Sequence, residues 1–107
     1  MSPDELFEWA TSGTPNQIGK KGEFLSQIVP DKTRITVGNG KYRVPDRLQD
    51  GVITEVKNVA TLSNSAQLRD FTKYAGESEK ILIVRSTQTH ISQSIIDDGW
   101  TIKYLFH

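Results

Sequence analysis

The residues with the clearest capacity for chemistry belong to segment 52–57, which reads VITEVK. Apolar and polar residues alternate in this segment, which predicts a β-strand whose every second side chain projects to the same face. Glu55 and Lys57 therefore share a face, where burying a carboxylate and an ammonium is costly unless each has a partner or a function. Two interpretations stay open at this point: an ion pair on a half-exposed strand, or part of a catalytic centre.

A second carboxylate, Asp46, precedes Glu55 by nine residues, across a turn predicted over residues 47–51. Antiparallel pairing of the strands on either side of that turn can bring the two acids together. Neighbouring carboxylates repel each other unless a cation lies between them, and a hard divalent cation with oxygen ligands would relieve the repulsion. Lys57 could then orient a water molecule or stabilise charge on a phosphate. For Pro45 a structural role is the alternative, because proline cannot donate to a strand ladder and ends strands.

A third acid, Glu23, lies in a predicted helix with the sequence Gly19-Lys20-Lys21-Gly22-Glu23. Each glycine inside a helix costs about 1 kcal/mol relative to alanine. Such residues suit positions where another group approaches the helix backbone closely, and a packed strand or a phosphate backbone would both qualify. For Glu23 itself, a solvent-exposed surface glutamate is the alternative interpretation.

The charges of the 107-residue chain are unevenly distributed, although thirteen basic and thirteen acidic residues cancel. Seven basic residues against three acidic ones give segment 18–47 a net charge of +4, and six against ten give the remainder −4. A basic segment favours a polyanionic partner, although a solvated surface can have the same composition. The seven basic residues are Lys20, Lys21, Lys32, Arg34, Lys41, Arg43 and Arg47.

Composition excludes several other kinds of protein. The chain has no cysteine and only two histidines, His90 and His107, so neither a thiolate zinc site nor a histidine-rich metal site is expected. Hydrophobic residues make up 36% and charged residues 24%, which predicts one soluble globular domain at this length. The longest apolar run, residues 81–84, is far shorter than the roughly 20 residues of a membrane-spanning helix.

The elements that must position the acids and the lysine are predicted from capping signals and hydrophobic periodicity. Ser2 with Glu5, and Thr14 with Gln17, have the spacing of capping boxes followed by proline at the first helical position. The predicted helices cover residues 3–10, 15–28, 64–75 and 91–98, and the predicted strands cover 34–37, 42–44, 52–56, 80–85 and 100–106. The first three strands are predicted to form a meander. The order ααβββαβαβ is typical of an α/β (α+β mixed-sheet) fold, with helices and sheet in three layers.

A few further residues receive structural interpretations. Gln67 is placed to complete the cap of the helix predicted over 64–75. Trp9 and Trp100 are interpreted as core or helix-packing anchors. His90 is expected to be exposed at the start of a helix. Tyr42 is interpreted as a cross-strand packing residue that could also touch a bound substrate.

The polar residues form an ordered series that resembles the PD-(D/E)xK nuclease superfamily, which has the restriction-endonuclease-like fold. The core of that family is a helix, a three-stranded meander, a helix and a strand, and it corresponds in order to residues 15–85. The family's first-helix glutamate, its Pro-Asp, its Glu-x-Lys and its glutamine on the later helix correspond to Glu23, Pro45, Asp46, Glu55, Val56, Lys57 and Gln67. In subgroups with Gln-x-x-x-Tyr the tyrosine position is Phe71 here, and Tyr74 follows close by on the same helix.

Three segments resemble, in particular, the C-terminal nuclease domains of bacterial polymorphic toxins, including contact-dependent inhibition toxins. They are RVPDRL at 43–48, EVKNV at 55–59 and QLRDF at 67–71. The resemblance implies a single nuclease domain over 1–107, with an N-terminal helical extension at 1–13 and the core at 15–85. It also implies secretion as part of a larger bacterial toxin, action in the target-cell cytoplasm and a cognate immunity protein as partner; otherwise a cytoplasmic location is expected.

The implied reaction is metal-dependent hydrolysis of phosphodiester bonds in DNA or RNA, transfer RNA included. The resemblance implies that Asp46 and Glu55, with the Val56 carbonyl nearby, coordinate a divalent ion, Mg²⁺ or Mn²⁺. Glu23 would hold a second ion or a metal-bound water molecule.

The remaining implied roles concern water and phosphate. Lys57 would position the attacking water, and Gln67 would fix the water or the scissile phosphate. The candidates for contacts to the nucleic acid backbone are Lys20, Lys21, Arg43 and Arg47. The alternatives are a DNA repair or restriction-type nuclease, and a non-catalytic nucleic-acid-binding module on the same fold. A pure binder, however, gains nothing from carboxylates that face phosphate.

Overall fold

A computed structural model describes residues 1–31 and 33–106; Lys32 and His107 lie outside the described residues. The helices are α1 (Pro3–Ala10), α2 (Pro15–Ser26), α3 (Ala66–Ala75) and α4 (Gln93–Asp97). The strands are β1 (Ile35–Thr36), β2 (Tyr42–Arg43), β3 (Arg47–Gln49), β4 (Val52–Lys57), β5 (Thr61–Leu62), β6 (Lys80–Val84), β7 (His90–Ile91) and β8 (Thr101–Tyr104). Helices and a mixed sheet are both present, so the predicted α/β class is confirmed.

The first two helices begin where their capping signals predict. Ser2 and Thr14 each accept the backbone N–H of the residue three positions later through their side-chain oxygen, and both reciprocal capping boxes are complete. The end of α2 was predicted less well, because this helix stops at Ser26 instead of residue 28. Gln27 takes the left-handed conformation, with φ of 58°, and so ends the helix before Pro30 is reached.

The three-stranded meander predicted over residues 34–56 is wrong. β1 and β2 form a separate antiparallel hairpin, whereas β3, in the predicted turn, pairs antiparallel with β4. Buried Pro45 lies between β2 and β3 and has no N–H to continue a ladder. The β3–β4 turn shrinks to Asp50 and Gly51, whose φ values of 54° and 79° suit a two-residue hairpin loop.

The main sheet has four strands in the order β3-β4-β6-β8, and β6 is parallel to both β4 and β8. Parallel neighbours need crossover connections, which α3 supplies between β4 and β6, and α4 between β6 and β8. The helix predicted over 91–98 is shorter than expected, because residues 90–91 pair with β5 as strand β7. His90 therefore lies in a short strand and not at a helix start; its N–H donates to the Ala60 carbonyl at 2.9 Å.

The core lies between α3 and the sheet. Leu68, Phe71 and Ala75 are buried along one side of α3, at the spacing of a helical stripe, and pack against apolar residues of β4 and β6. Trp100 is buried in the same cluster and donates its indole N–H to the Thr72 hydroxyl at 3.0 Å. Its interpretation as a core anchor is confirmed. Trp9 lies outside this core and is 37% exposed; it packs on α2.

A buried asparagine just after β4 ties α1 and α2 to the sheet. Asn58 is 3% exposed and donates to the carbonyls of Ala10 at 2.8 Å and Ile18 at 3.0 Å. Its side-chain oxygen accepts from Arg85 Nε at 2.9 Å, and burial lowers the pKa of that guanidinium. A Cβ on Gly22 would lie 2.6 Å from the Asn58 Cβ. The group that approaches this glycine closely is therefore a side chain of the protein itself, that of Asn58.

Replacing Gly22 with alanine is expected to destabilise the protein by about 1–3 kcal/mol, because the new methyl group overpacks the contact with Asn58. Gly19, in the same helix, is the matched control, since a Cβ there meets nothing within 4 Å. Its replacement by alanine is expected to stabilise α2 by up to about 1 kcal/mol. Urea unfolding of both variants measures the difference, and equal changes in the same direction would contradict the close contact.

Candidate active site

One cleft, of about 310 Å³, gathers the polar residues singled out in the sequence. α2 contributes to one side, the end of β4 and the residue before β3 to another, and the first turn of α3 to a third. The cleft is lined by Glu23, Asp46, Glu55, Val56, Lys57 and Gln67, together with Lys20 and the start of α2. All residues predicted for catalysis and metal binding therefore face one space, whatever their individual roles.

Two hydrogen bonds between side chains and backbone join Asp46 to Glu55 and to the next residue of β4, Val56. The Asp46 N–H donates to Glu55 Oε1 at 2.9 Å, and the Val56 N–H donates to Asp46 Oδ2 at 2.8 Å. The register of β3 and β4, which pairs Arg47 with Thr54, extends by one residue to bring Asp46 opposite Glu55. The expected proximity of the two acids is therefore present, although it comes from β3 and not from the strand predicted before it.

Lys57 links the acids to α3. Its Nζ lies 3.7 Å from Glu55 Oε2 and donates to Gln67 Oε1 at 2.9 Å. Gln67 does not cap the helix as predicted, because Ser65 is the N-cap and accepts the Leu68 N–H at 3.2 Å. With the cap already made, the Gln67 amide is turned to the lysine. Through Gln67, α3 thereby holds the Lys57 ammonium beside Glu55.

The burial of Glu55 argues against one of the two interpretations of the β4 acid and lysine, an ion pair on a half-exposed strand. The Glu55 side chain is only 3% exposed and that of Lys57 is 27% exposed, so the ion pair is not on a half-exposed strand. A buried carboxylate is costly without hydrogen bonds and a counter-charge. The Asp46 N–H and the Lys57 ammonium supply both. The protein therefore stabilises a negative charge at the wall of an open cleft.

The oxygen atoms available as ligands in the cleft fit a hard divalent cation. Mg²⁺ is usually held by one or two carboxylates, with water and substrate phosphates completing its shell. Asp46 and Glu55 are two adjacent carboxylates, and Val56 lines the cleft beside them. Across residues 1–31 and 33–106, no three or more His, Cys, Asp or Glu side chains are grouped as ligands for one ion. Metal binding by Asp46, Glu55 and Glu23 therefore stays a prediction.

The four predicted contacts to nucleic acid lie in different places. Lys20 lines the cleft. Lys21 donates two hydrogen bonds of 3.0 Å, to the Trp9 carbonyl at the end of α1 and to the Ser12 carbonyl just after it, so it ties α1 to α2. Arg43 donates its Nε–H to Asp70 at 3.0 Å, and Arg47 contacts a neighbouring side chain of β3. Of the four, only Lys20 thus lines the cleft that contains Asp46 and Glu55.

The structure also places residues that the sequence did not single out. Asn58 braces α2, which carries Glu23. In the sequence it is marked as a polar residue directly after a buried strand and as a member of the EVKNV segment, neither of which indicates this role. Asp70, one helical turn after Gln67, holds Arg43. Tyr74 lines a separate pocket beside β1, so the phenol absent at position 71 is not replaced by Tyr74 in the cleft.

The mixed sheet, its flanking helices and the cleft with two acids and a lysine define a protein of the restriction-endonuclease-like class. Residues 19–95 match the family described as restriction endonuclease fold toxin 7, and this match spans well over half of the chain. The chain belongs to that family, which confirms the resemblance to the PD-(D/E)xK nucleases and to their toxin members. No curated protein and no solved structure matches the chain.

Family membership has consequences at a general level. It implies nuclease activity, and hence a nucleic acid as substrate. It is also consistent with a secreted toxin effector. In the part of the chain that the structure describes, no helix is long and apolar enough to cross a membrane.

Proposed function

We propose that the chain is a divalent-metal-dependent nuclease that hydrolyses phosphodiester bonds of DNA or RNA. The observation that carries the proposal is the cleft in which Asp46, Glu55, Lys57 and Gln67 meet, in a chain from a family of nuclease toxins. A module that only binds nucleic acid gains nothing from two carboxylates at the phosphate. Carboxylates beside a lysine instead suit hydrolysis, in which a cation and an ammonium balance negative charge.

Asp46 and Glu55 would hold Mg²⁺ or Mn²⁺, with the Val56 backbone nearby. Such an ion, when bound, neutralises charge on the phosphate and favours attack by water. Both carboxylates are already held by backbone N–H groups, so they need little rearrangement to act as ligands. Glu23, on the α2 wall, would take a second ion or a bound water molecule.

The other polar residues of the cleft act directly on water and phosphate. Lys57 would hold the attacking water and stabilise the charge that develops on the phosphate. Gln67 accepts a hydrogen bond from Lys57, which aims the ammonium, and its amide NH₂ group can donate to the water or to a phosphate oxygen. Lys20 would contact the phosphate backbone from α2.

The biological setting of the proposal is a bacterial toxin. Residues 1–107 would form one nuclease domain, with the core at 15–85 and an extension at 1–13. The domain would be secreted as part of a larger toxin and act in the cytoplasm of the target cell, with a cognate immunity protein as its partner. Membership of a toxin family supports this setting.

The test is a cleavage assay on plasmid DNA and on total transfer RNA, with Mg²⁺ or with a chelator. Cleavage that needs the metal and that Asp46→Ala lacks is the expected result. The substrate that disappears identifies DNA or RNA as the target. Absence of cleavage of both substrates by well-folded protein, in Mg²⁺ and in Mn²⁺, would contradict the proposal.

A further inference from the structure

The β1–β2 hairpin carries an exposed pair of an arginine and an aromatic ring outside the cleft. The Arg34 guanidinium lies 4.2 Å from the centre of the Tyr42 ring, within the range of a cation–π contact. Tyr42 is nevertheless 55% exposed as a residue. The predicted role of Tyr42 in cross-strand packing therefore leaves more than half of the residue in contact with solvent.

The register of the hairpin explains why this pair faces outward. Ile35 is buried in the core, and Arg43, directly opposite, reaches Asp70 on α3. Tyr42 pairs with Thr36 and so projects from the other face, as does Arg34, two residues before Thr36. One face of the hairpin is thus anchored to the domain, and the opposite face presents the stacked pair.

Charge and chain connectivity tie this face to the cleft. Residues 33–45 contain no acidic residue and three basic ones, of which Arg34 projects from the face of Tyr42 and Arg43 is paired with Asp70 on the opposite face. Tyr42 precedes Asp46 by four residues, which at full extension span about 14 Å. A polyanion that reaches the acids is therefore within a short distance of the stacked pair.

We propose that Arg34 and Tyr42 form a platform on which an unpaired base of the substrate strand stacks, next to the phosphate held in the cleft. This inference rests on the proposed nuclease function and specifies its substrate class as single-stranded or locally unpaired nucleic acid. A base offers its face only when it is not stacked in a duplex, and every base has such a face, so the contact tolerates any sequence. The guanidinium adds positive charge beside the phosphates.

The test measures binding of a fluorescently labelled single strand and of a duplex of the same sequence, by anisotropy. The protein carries Lys57→Ala so that the strand stays intact. Addition of Tyr42→Ala is expected to weaken single-strand binding about tenfold or more, as is typical for loss of one stacked base. Tyr42→Phe keeps the ring and is expected to bind like the parent. Duplex binding is expected to be weaker and insensitive to both changes.

The matched control is Tyr104→Ala, which removes an exposed tyrosine from β8, outside the hairpin and the cleft. Tyr42→Leu keeps an apolar side chain but has no aromatic face. It replaces Tyr42→Ala in the test if the alanine variant does not fold, with the same expected loss of single-strand binding. Equal single-strand affinities of the Tyr42 and Tyr104 variants, or tighter binding of the duplex, would overturn the platform. If the Tyr42 and Tyr104 variants bind the single strand equally but the wild-type protein cleaves with metal, the platform is refuted and the nuclease function is retained. Absence of both binding and cleavage would refute the platform and the nuclease together.

Discussion

Replacement of Lys57 by alanine is expected to lower the cleavage rate by about 100- to 1,000-fold, the usual effect of losing one group that stabilises transition-state charge. The ammonium lies between Glu55 and Gln67 and faces the cleft, so alanine removes the positive charge where the phosphate would react. Initial rates on plasmid DNA and transfer RNA measure the effect. The fold is expected to persist at a lower melting temperature, because the Glu55 carboxylate loses its counter-charge but still accepts the Asp46 N–H.

Lys103→Ala is the matched control for this experiment. Lys103 is an exposed lysine of β8, outside the residues that line the cleft, so its loss changes the net charge equally and is expected to leave the rate unchanged. Circular dichroism and thermal unfolding of both variants separate lost chemistry from lost structure. A folded Lys57→Ala protein that cleaves at the wild-type rate would refute the catalytic role of the lysine.

The second large effect concerns stability in the presence of divalent ions. An ion at one hundred times its dissociation constant stabilises a folded protein by about 2.7 kcal/mol. For a domain of this size, Mg²⁺ or Mn²⁺ is therefore expected to raise the melting temperature by roughly 10–20 °C. Asp46→Asn is expected to lose most of this increase, because the amide keeps the shape but not the charge that a hard cation requires. A thermal shift series at increasing ion concentration is the measurement.

Asp50→Asn controls for the general loss of a negative charge. Asp50 lies in the β3–β4 turn, away from the cleft, with φ of 54°, a conformation that asparagine tolerates. This variant is expected to show the full ion-dependent increase. If the wild-type protein shows no increase, or if both variants lose it equally, the two acids do not form a cation site.

The starts of α1 and α2 and the buried side of α3 could be predicted because they depend on local chemistry. A capping box satisfies backbone donors within four residues, so Thr14 and Gln17 identify the start of α2 without knowledge of the fold. The apolar spacing of Leu68, Phe71 and Ala75 likewise identifies the face that α3 buries. The pairing of β1, β2 and β3 was not predictable in this way, because several short strands can pair in more than one arrangement.

The residues of the cleft were predicted by their chemical type and order, and tertiary structure brought them together. Asp46 and Glu55 are adjacent because of the β3–β4 register. Gln67 meets Lys57 because Ser65 had already satisfied the helix cap. Neither relation follows from spacing alone, since the first depends on the strand register of the folded sheet and the second on which residue caps α3.

The sequence by itself determined the class of the fold, the starts of α1 and α2, and the set of acids, lysine and glutamine that chemistry would need. The tertiary structure alone decided that Lys20 lines the cleft, that Lys21 ties α1 to α2, and that Arg34 and Tyr42 form an exposed pair. The physical reason is the range of the interactions. Caps and hydrophobic stripes act within a few residues, whereas the direction of a long basic side chain depends on carboxylates, carbonyls and rings from distant segments.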